Sequence, residues 1–166
     1  MRTPSQWLPI LAVIAAVGSG LMAGLFFIFS NTIMRALSEL PPVAGMQAMQ
    51  RINVVIINPL FLSAFLGTGA VCVVVAALAA LAPGAQGHAW LLASSICYLV
   101  GNVGVTMVFN VPLNNGLDRM TAEAASEAWP AYVIAWLRWN HVRTVTGMLA
   151  VGGFVWGLFR YGSRAQ

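Results

Sequence analysis

Lysine is absent from this chain and acidic residues are scarce: the 166 residues hold four Asp and Glu against eight Arg. Charged side chains make up 7% of the sequence, where a soluble domain carries about 25%. That shortage, with a mean hydropathy of +0.83, excludes an ordinary water-soluble domain. The acids that exist, Glu39, Asp118, Glu123 and Glu127, fall outside the apolar runs. This argues against paired-carboxylate hydrolysis and against a carboxylate-bridged metal site. Cysteine is nearly absent too. Cys72 and Cys97 lie inside separate apolar runs, where a thiol acts as a small apolar filler rather than as a disulfide or zinc ligand. There is no Gly-rich phosphate loop and no basic run. The net charge of +4 therefore points to arginine anchors at lipid headgroups, not to nucleic acid.

What the chain has in abundance is apolar residues, 60% of the total. They gather in runs at about residues 7–30, 54–81, 90–111 and 142–160. Each is near the ~20 residues that a helix needs to cross the hydrocarbon core. Backbone groups in lipid must be satisfied within the segment, so the runs are helices. The first exceeds the roughly 7–15 apolar residues of a signal peptide and reads as a retained span. The expectation is an all-α chain: a single domain over residues 1–166, built as an integral membrane four-helix bundle with short interfacial helices in the two long loops. Those helices are expected after Pro41-Pro42 and over Ala122 to Trp139. The location expected is a bacterial inner (plasma) membrane, with termini assigned to the cytoplasm. A raw arginine count points the other way, with Arg35, Arg51, Arg119, Arg138 and Arg143 on the long-loop side, but a site that uses several of them removes them from the topology signal. Gly20 with Gly24, Gly67 with Gly69, and Gly147 with Val151 and Gly152 are expected at helix contacts. Small bundles bury further surface by association, so a homo-oligomer is expected.

Four spans bring the end of the first, the start of the second, the end of the third and the start of the fourth to one membrane face. The polar residues collect there: Ser30, Asn31 and Arg35; Gln47, Gln50, Arg51, Asn53 and Asn58; Asn110, Asn114 and Asn115; Asn140, His141 and Arg143. The opposite face has His88 nearly alone. Asn102, Thr106 and Asn110 recur every fourth residue and form one stripe on a helix. Polar groups at membrane depth are costly and usually face a cavity or a partner. Their one-ended concentration predicts a cavity, with interhelical hydrogen bonding as the alternative for Asn102 and Thr106. The densest stretch, Trp139-Asn140-His141-Val142-Arg143, is expected where the fourth span begins. On an ideal helix His141 and Arg143 point to opposite sides, whereas Asn140, Arg143, Thr144 and Gly147 share one. Trp129, Tyr132, Trp136 and Trp139, spaced by three and four, form either an aromatic belt among the headgroups or a lid over the cavity.

At these residues a resemblance enters. Gly24-Leu25-Phe26-Phe27-Ile28-Phe29-Ser30, Leu40-Pro41-Pro42, Met49-Gln50-Arg51-Ile52-Asn53, Asn58-Pro59 and Trp139-Asn140-His141-Val142-Arg143-Thr144 resemble the anthrone oxygenase-like membrane proteins, over roughly residues 15 to 155. The resemblance implies oxidation of an anthrone-like, lipophilic polycyclic or phenolic substrate by O₂ without a cofactor. Such a substrate loses a proton to give an electron-rich anion that itself reduces O₂. The chemistry calls for a base, oxyanion donors and a flat apolar pocket. His141 is the expected base, because imidazole exchanges protons near neutral pH. Arg143, Asn140 and Asn53 are the expected oxyanion donors. Phe26, Phe27, Trp139 and Met49 are expected to line the pocket, and the substrate-binding set is Asn53, Gln50, Asn110, Trp139, Phe27 and Asn31. A second reading takes His141 as an axial ligand of haem b, with Met46, Met49, Met148 or a histidine of another copy opposite. A third is a small-molecule binder without chemistry. The partners expected are the lipid bilayer, a lipophilic small molecule and O₂, with no nucleic acid.

Overall fold

The structure, a computed structural model, describes residues 4–81 and 84–162. Helices at Gln6–Ser38, Pro59–Ala80, His88–Asp118 and Ala122–Gly162 are long and apolar enough to cross a membrane, and no strand occurs among the described residues. The chain is an integral membrane protein whose spans form a helical bundle.

The first span is helix α1 (Pro4–Ile28), continued through a π-helical turn at Phe29–Ile33 into α2 (Met34–Ser38). Pro41 is extended, with ψ 139°, and Pro42 opens α3 (Pro42–Val55), because proline at the first helical position gives up an N–H that has no partner there anyway. The next break lies at Asn58. Its backbone is extended and its side chain caps α4 (Pro59–Ala80), accepting a hydrogen bond from the Phe61 N–H at 3.0 Å. The expected span 54–81 is corrected accordingly: Val54 and Val55 end α3, and the crossing helix starts at Pro59. An apolar run gives hydropathy no sign of a break inside it.

The third span opens as α5 (His88–Tyr98), passes through π-helical segments Leu99–Gly104 and Thr106–Asn110, and ends as α6 (Val111–Asp118). A turn at Ala122–Ala124 leads into α7 (Ala125–Gly162), one helix of 38 residues. This is the largest departure from expectation. Ala122 to Trp139 is not a separate interfacial helix, and residues 139–143 lie in the middle of α7 rather than at its start. Around the bundle α1 packs on α4 and α7, and α5 packs on the same two helices.

Two apolar cores result. One fills the bundle around Leu8, Phe26, Phe65, Tyr98 and Phe154. The other fills a cap on the long-loop face around Met34, Met46, Met49, Leu117, Trp129, Tyr132 and Trp136. Trp129, Tyr132 and Trp136 are buried, so the belt reading is corrected: these rings are the inside of the cap. Of the glycines expected at helix contacts, Gly20, Gly69 and Gly147 face a neighbouring helix and the others do not. A side chain on Gly24, Gly67 or Gly152 would meet nothing within 4 Å. At Gly147 an added Cβ would lie 2.9 Å from the Ala23 Cβ, so α7 and α1 are in close contact there.

Candidate functional site

Where the bundle core meets the cap, a cavity of about 290 Å³ opens among α1, α3, α4, the third span and α7. It stands at the lower end of the roughly 300–1,000 Å³ of small-molecule sites. Its walls are mostly apolar: Phe26 and Phe29 from the first span, Met49 and Ile52 from α3, Phe61 and Phe65 from α4, and Trp136 from α7. Phe61 and Phe65 stack with 5.6 Å between ring centres and 7° between planes, a pairing their spacing of four on one helix allows. The Tyr98 hydroxyl donates to the Phe65 carbonyl at 3.0 Å and ties this wall to α5.

The polar part is centred on Arg143. Its side chain is 5% exposed and its guanidinium reaches the cavity wall. Nη2 donates to Asn140 Oδ1 at 2.6 Å and Nη1 to Thr106 Oγ1 at 3.2 Å. The guanidinium lies 4.2 Å from the centre of the Phe26 ring and 5.2 Å from that of Trp136, whose π faces attract a cation. No carboxylate balances the charge. Glu39, Asp118, Glu123 and Glu127 are all exposed, and the ion pair found among the described residues joins Arg35 to Glu39 at 3.4 Å. A buried charge is costly unless paired, and Nε of this one has no hydrogen-bond partner. Two more cavity-lining residues have unused polar atoms: Asn53 Nδ2, a donor, and Asn110 Oδ1, an acceptor. The π-helical turns of the third span carry Thr106 and Asn110 to this wall. Such turns shift the helical register by one residue and recur at functional sites.

Asn140 is the hub behind the cavity. It is fully buried and its Nδ2 donates to the Phe26 carbonyl at 2.7 Å and to Ser30 Oγ at 2.6 Å, while its Oδ1 holds Arg143. It clamps α7 to the first span at the π-helical turn. Beside it, Asn114 Oδ1 accepts from the Tyr132 hydroxyl and from Trp136 Nε1, both at 3.0 Å.

The structure thus brings Arg143, Asn53 and Asn110 to the cavity, with Asn140 bound directly to Arg143. Phe26 and Met49 line it too, as expected, whereas His141, Gln50, Trp139, Phe27 and Asn31 lie outside it. His141 is exposed on the opposite side of α7 and is corrected as a cavity-facing base, because in an unbroken helix two residues beyond His141 lies nearly the other face. Gln50 donates to the Leu117 carbonyl at 2.9 Å and closes the end of α6. Trp139 stacks on Phe109 with centroids 3.5 Å apart, outside the cavity. Phe27 is 47% exposed on the outer surface, and Asn31 is exposed too, bonding Thr32. The phenylalanine facing inward is Phe26. For a haem, His141 and Met148 project from exposed surface, Met46 sits in the cap core, and of these ligands and Met49 only Met49 lines the cavity. Asn102, at the bottom of the polar stripe, bonds Thr146 at 3.2 Å and joins helices rather than lining the cavity. Among the described residues no group of three or more His, Cys, Asp or Glu could hold a metal ion. Sequence reasoning missed Phe29, Phe61 and Phe65 as walls and reached Trp136 only through the lid alternative; Phe61 and Phe65 look like any apolar pair in a span.

A family profile described as anthrone oxygenase matches residues 60–153, more than half of the chain, from the start of α4 to well inside α7. No curated protein and no solved structure matches the chain.

Proposed function

We propose that this chain, which belongs to the anthrone oxygenase family, is a membrane oxygenase that acts with O₂ on a lipophilic, phenolic, anthrone-like substrate and needs no cofactor. The observation that carries the reading is Arg143: a buried guanidinium without a counter-anion, on the wall of an aromatic cavity. Such a group favours an anionic partner far more than it would in water. The unused atoms suit a particular pattern. Arg143 Nε and Asn53 Nδ2 can donate to a developing oxyanion, and Asn110 Oδ1 can accept from a phenolic hydroxyl. The aromatic walls suit a flat ring system.

With His141 on the outer surface, this reading gives the acidifying role to Arg143. The cation lowers the cost of the enolate, and the substrate's C–H proton passes to water. The enolate then gives one electron to O₂, the radical pair combines to form a C–O bond, and the resulting peroxide anion takes up a proton to give the hydroperoxide. Loss of water leaves a carbonyl, so a CH₂ group and one O₂ become C=O and one H₂O. Asn140, behind the wall, orients the guanidinium without touching the substrate, and Thr106, on the wall, holds Nη1. The remaining parts of the reading are a bacterial inner membrane, cytoplasmic termini and a homo-oligomer. Arg143, spent on the site, no longer counts among the topology anchors of the long-loop side.

The test is O₂ uptake by the full-length protein in nanodiscs supplied with 1,8-dihydroxyanthrone. Uptake above protein-free nanodiscs is expected, with a fall of about 100-fold or more in Arg143→Met, the scale of losing an oxyanion donor, and partial retention in Arg143→Lys. Uptake no faster than the blank, or equal in Arg143→Met and wild type, would overturn the reading. A Soret band in the purified protein would overturn its cofactor-free part.

A further inference from the structure

The geometry points to a doorway in the hydrocarbon: the substrate enters this cavity sideways from the bilayer, between α4 and the third span, and not from the water above the cap. This rests on the oxygenase reading for the identity of the substrate, though not for the route.

The exposure of the lining residues carries it. Of all residues that border the cavity, those exposed are Ile57, Leu62, Leu66 and Met107. Each is apolar. Leu62 and Leu66 are one turn apart on α4, and Met107 sits on the third span, which packs beside it; all three lie within membrane-spanning helices. Ile57 lies at the break just before α4. An opening framed by these side chains faces acyl chains. The aqueous route is closed by the cap, whose Met46, Met49, Trp129, Tyr132 and Trp136 are all buried. A neutral polycycle concentrates in hydrocarbon, so a lateral mouth meets it where it is most abundant. The polar groups wait at the inner end: Arg143 and Asn110 are buried while the mouth is bare of polar side chains. The molecule that passes the mouth is therefore the uncharged form, and it becomes an anion only inside.

The probe is 9-methylanthracene, which has neither an oxygen atom nor the acidic proton of an anthrone. Energy transfer from Trp136, taken as the difference between wild type and Trp136→Phe in nanodiscs, reports cavity occupancy. Release is followed after mixing with an excess of empty vesicles. The triple variant Leu62→Phe, Leu66→Phe, Met107→Phe narrows the mouth and is expected to slow release about tenfold. Leu66→Ala with Met107→Ala widens it and is expected to speed release. Release at the wild-type rate in both variants overturns the lateral route, as does the lack of any Trp136-specific transfer in wild type. Altered release rates in a protein that takes up no O₂ with the anthrone would keep the doorway and sink the oxygenase reading alone.

Discussion

Asn140 holds Arg143 in place: the arginine Nη2 donates to the asparagine Oδ1 at 2.6 Å across one turn of α7. The same asparagine spends its donors on Phe26 and Ser30 of the first span, so the orientation of the buried cation and the docking of two spans depend on one amide. Asn140→Ala is expected to cost about 1–3 kcal/mol for buried groups left unpaired. It is also expected to lower O₂ uptake through a misaligned Arg143. Reversible unfolding in mixed micelles, read beside O₂ uptake, checks both effects.

Arg143→Met should separate stability from activity. The substitution removes an uncompensated buried charge and keeps a long apolar side chain against Phe26 and Trp136. Removing an unpaired buried charge offsets the loss of its hydrogen bonds to Asn140 and Thr106. The expected outcome is a midpoint of unfolding equal to or above that of wild type in a protein without turnover. A variant that is both inactive and strongly destabilised would mean that the guanidinium is there for the fold.

His141→Ala should change little. The imidazole is exposed on the outer side of α7, and surface substitutions usually fall within about 0.5 kcal/mol. O₂ uptake at the wild-type rate is expected. A large loss of turnover with an intact fold would return His141 to the chemistry.

The glycines give a paired test. Gly147→Ala places a methyl 2.9 Å from the Ala23 Cβ and should push α1 from α7, at the roughly 1–3 kcal/mol typical of overpacking. Gly24→Ala meets nothing within 4 Å and should be neutral or gain about 0.5–1 kcal/mol from helix propensity. Unfolding midpoints of the two variants in one micelle test whether Gly147, and not Gly24, sits in the contact between α1 and α7.

Tyr132→Phe removes one of the hydrogen bonds to Asn114 Oδ1 and leaves the one from Trp136 at 3.0 Å. The loss expected is about 0.5–1.5 kcal/mol. The cost should shrink when Asn114 is already leucine, because no acceptor remains, and a double-mutant cycle measures that difference.

The crossing helices were legible in the sequence because hydropathy reads burial in lipid directly, and the gathering of polar residues at one face followed from connectivity alone. Arg143 and Asn140 were legible as neighbours on one helix face, which the structure keeps. What misled was the start of the last span. His141 looked well placed only if the helix began at Asn140, and nothing in the composition of Ala122 to Trp139 distinguishes a helix lying on the membrane from one continuing into it. Phe27 and Phe26 differ by one helical step, and the choice between them depends on the rotation of α1, which Ala23 packing on Gly147 fixes and no hydropathy profile contains. The π-helical turns were unreadable for a related reason: they are set by contacts between spans, not by any residue's own preference.

At 38 residues, α7 is roughly 57 Å long, nearly twice the ~30 Å of the hydrocarbon core. The rod that crosses the membrane is therefore also the beam on which the cap is built. Trp129, Tyr132, Trp136, Asn140 and Arg143 are rungs of a single ladder, and none can turn about the axis without the others.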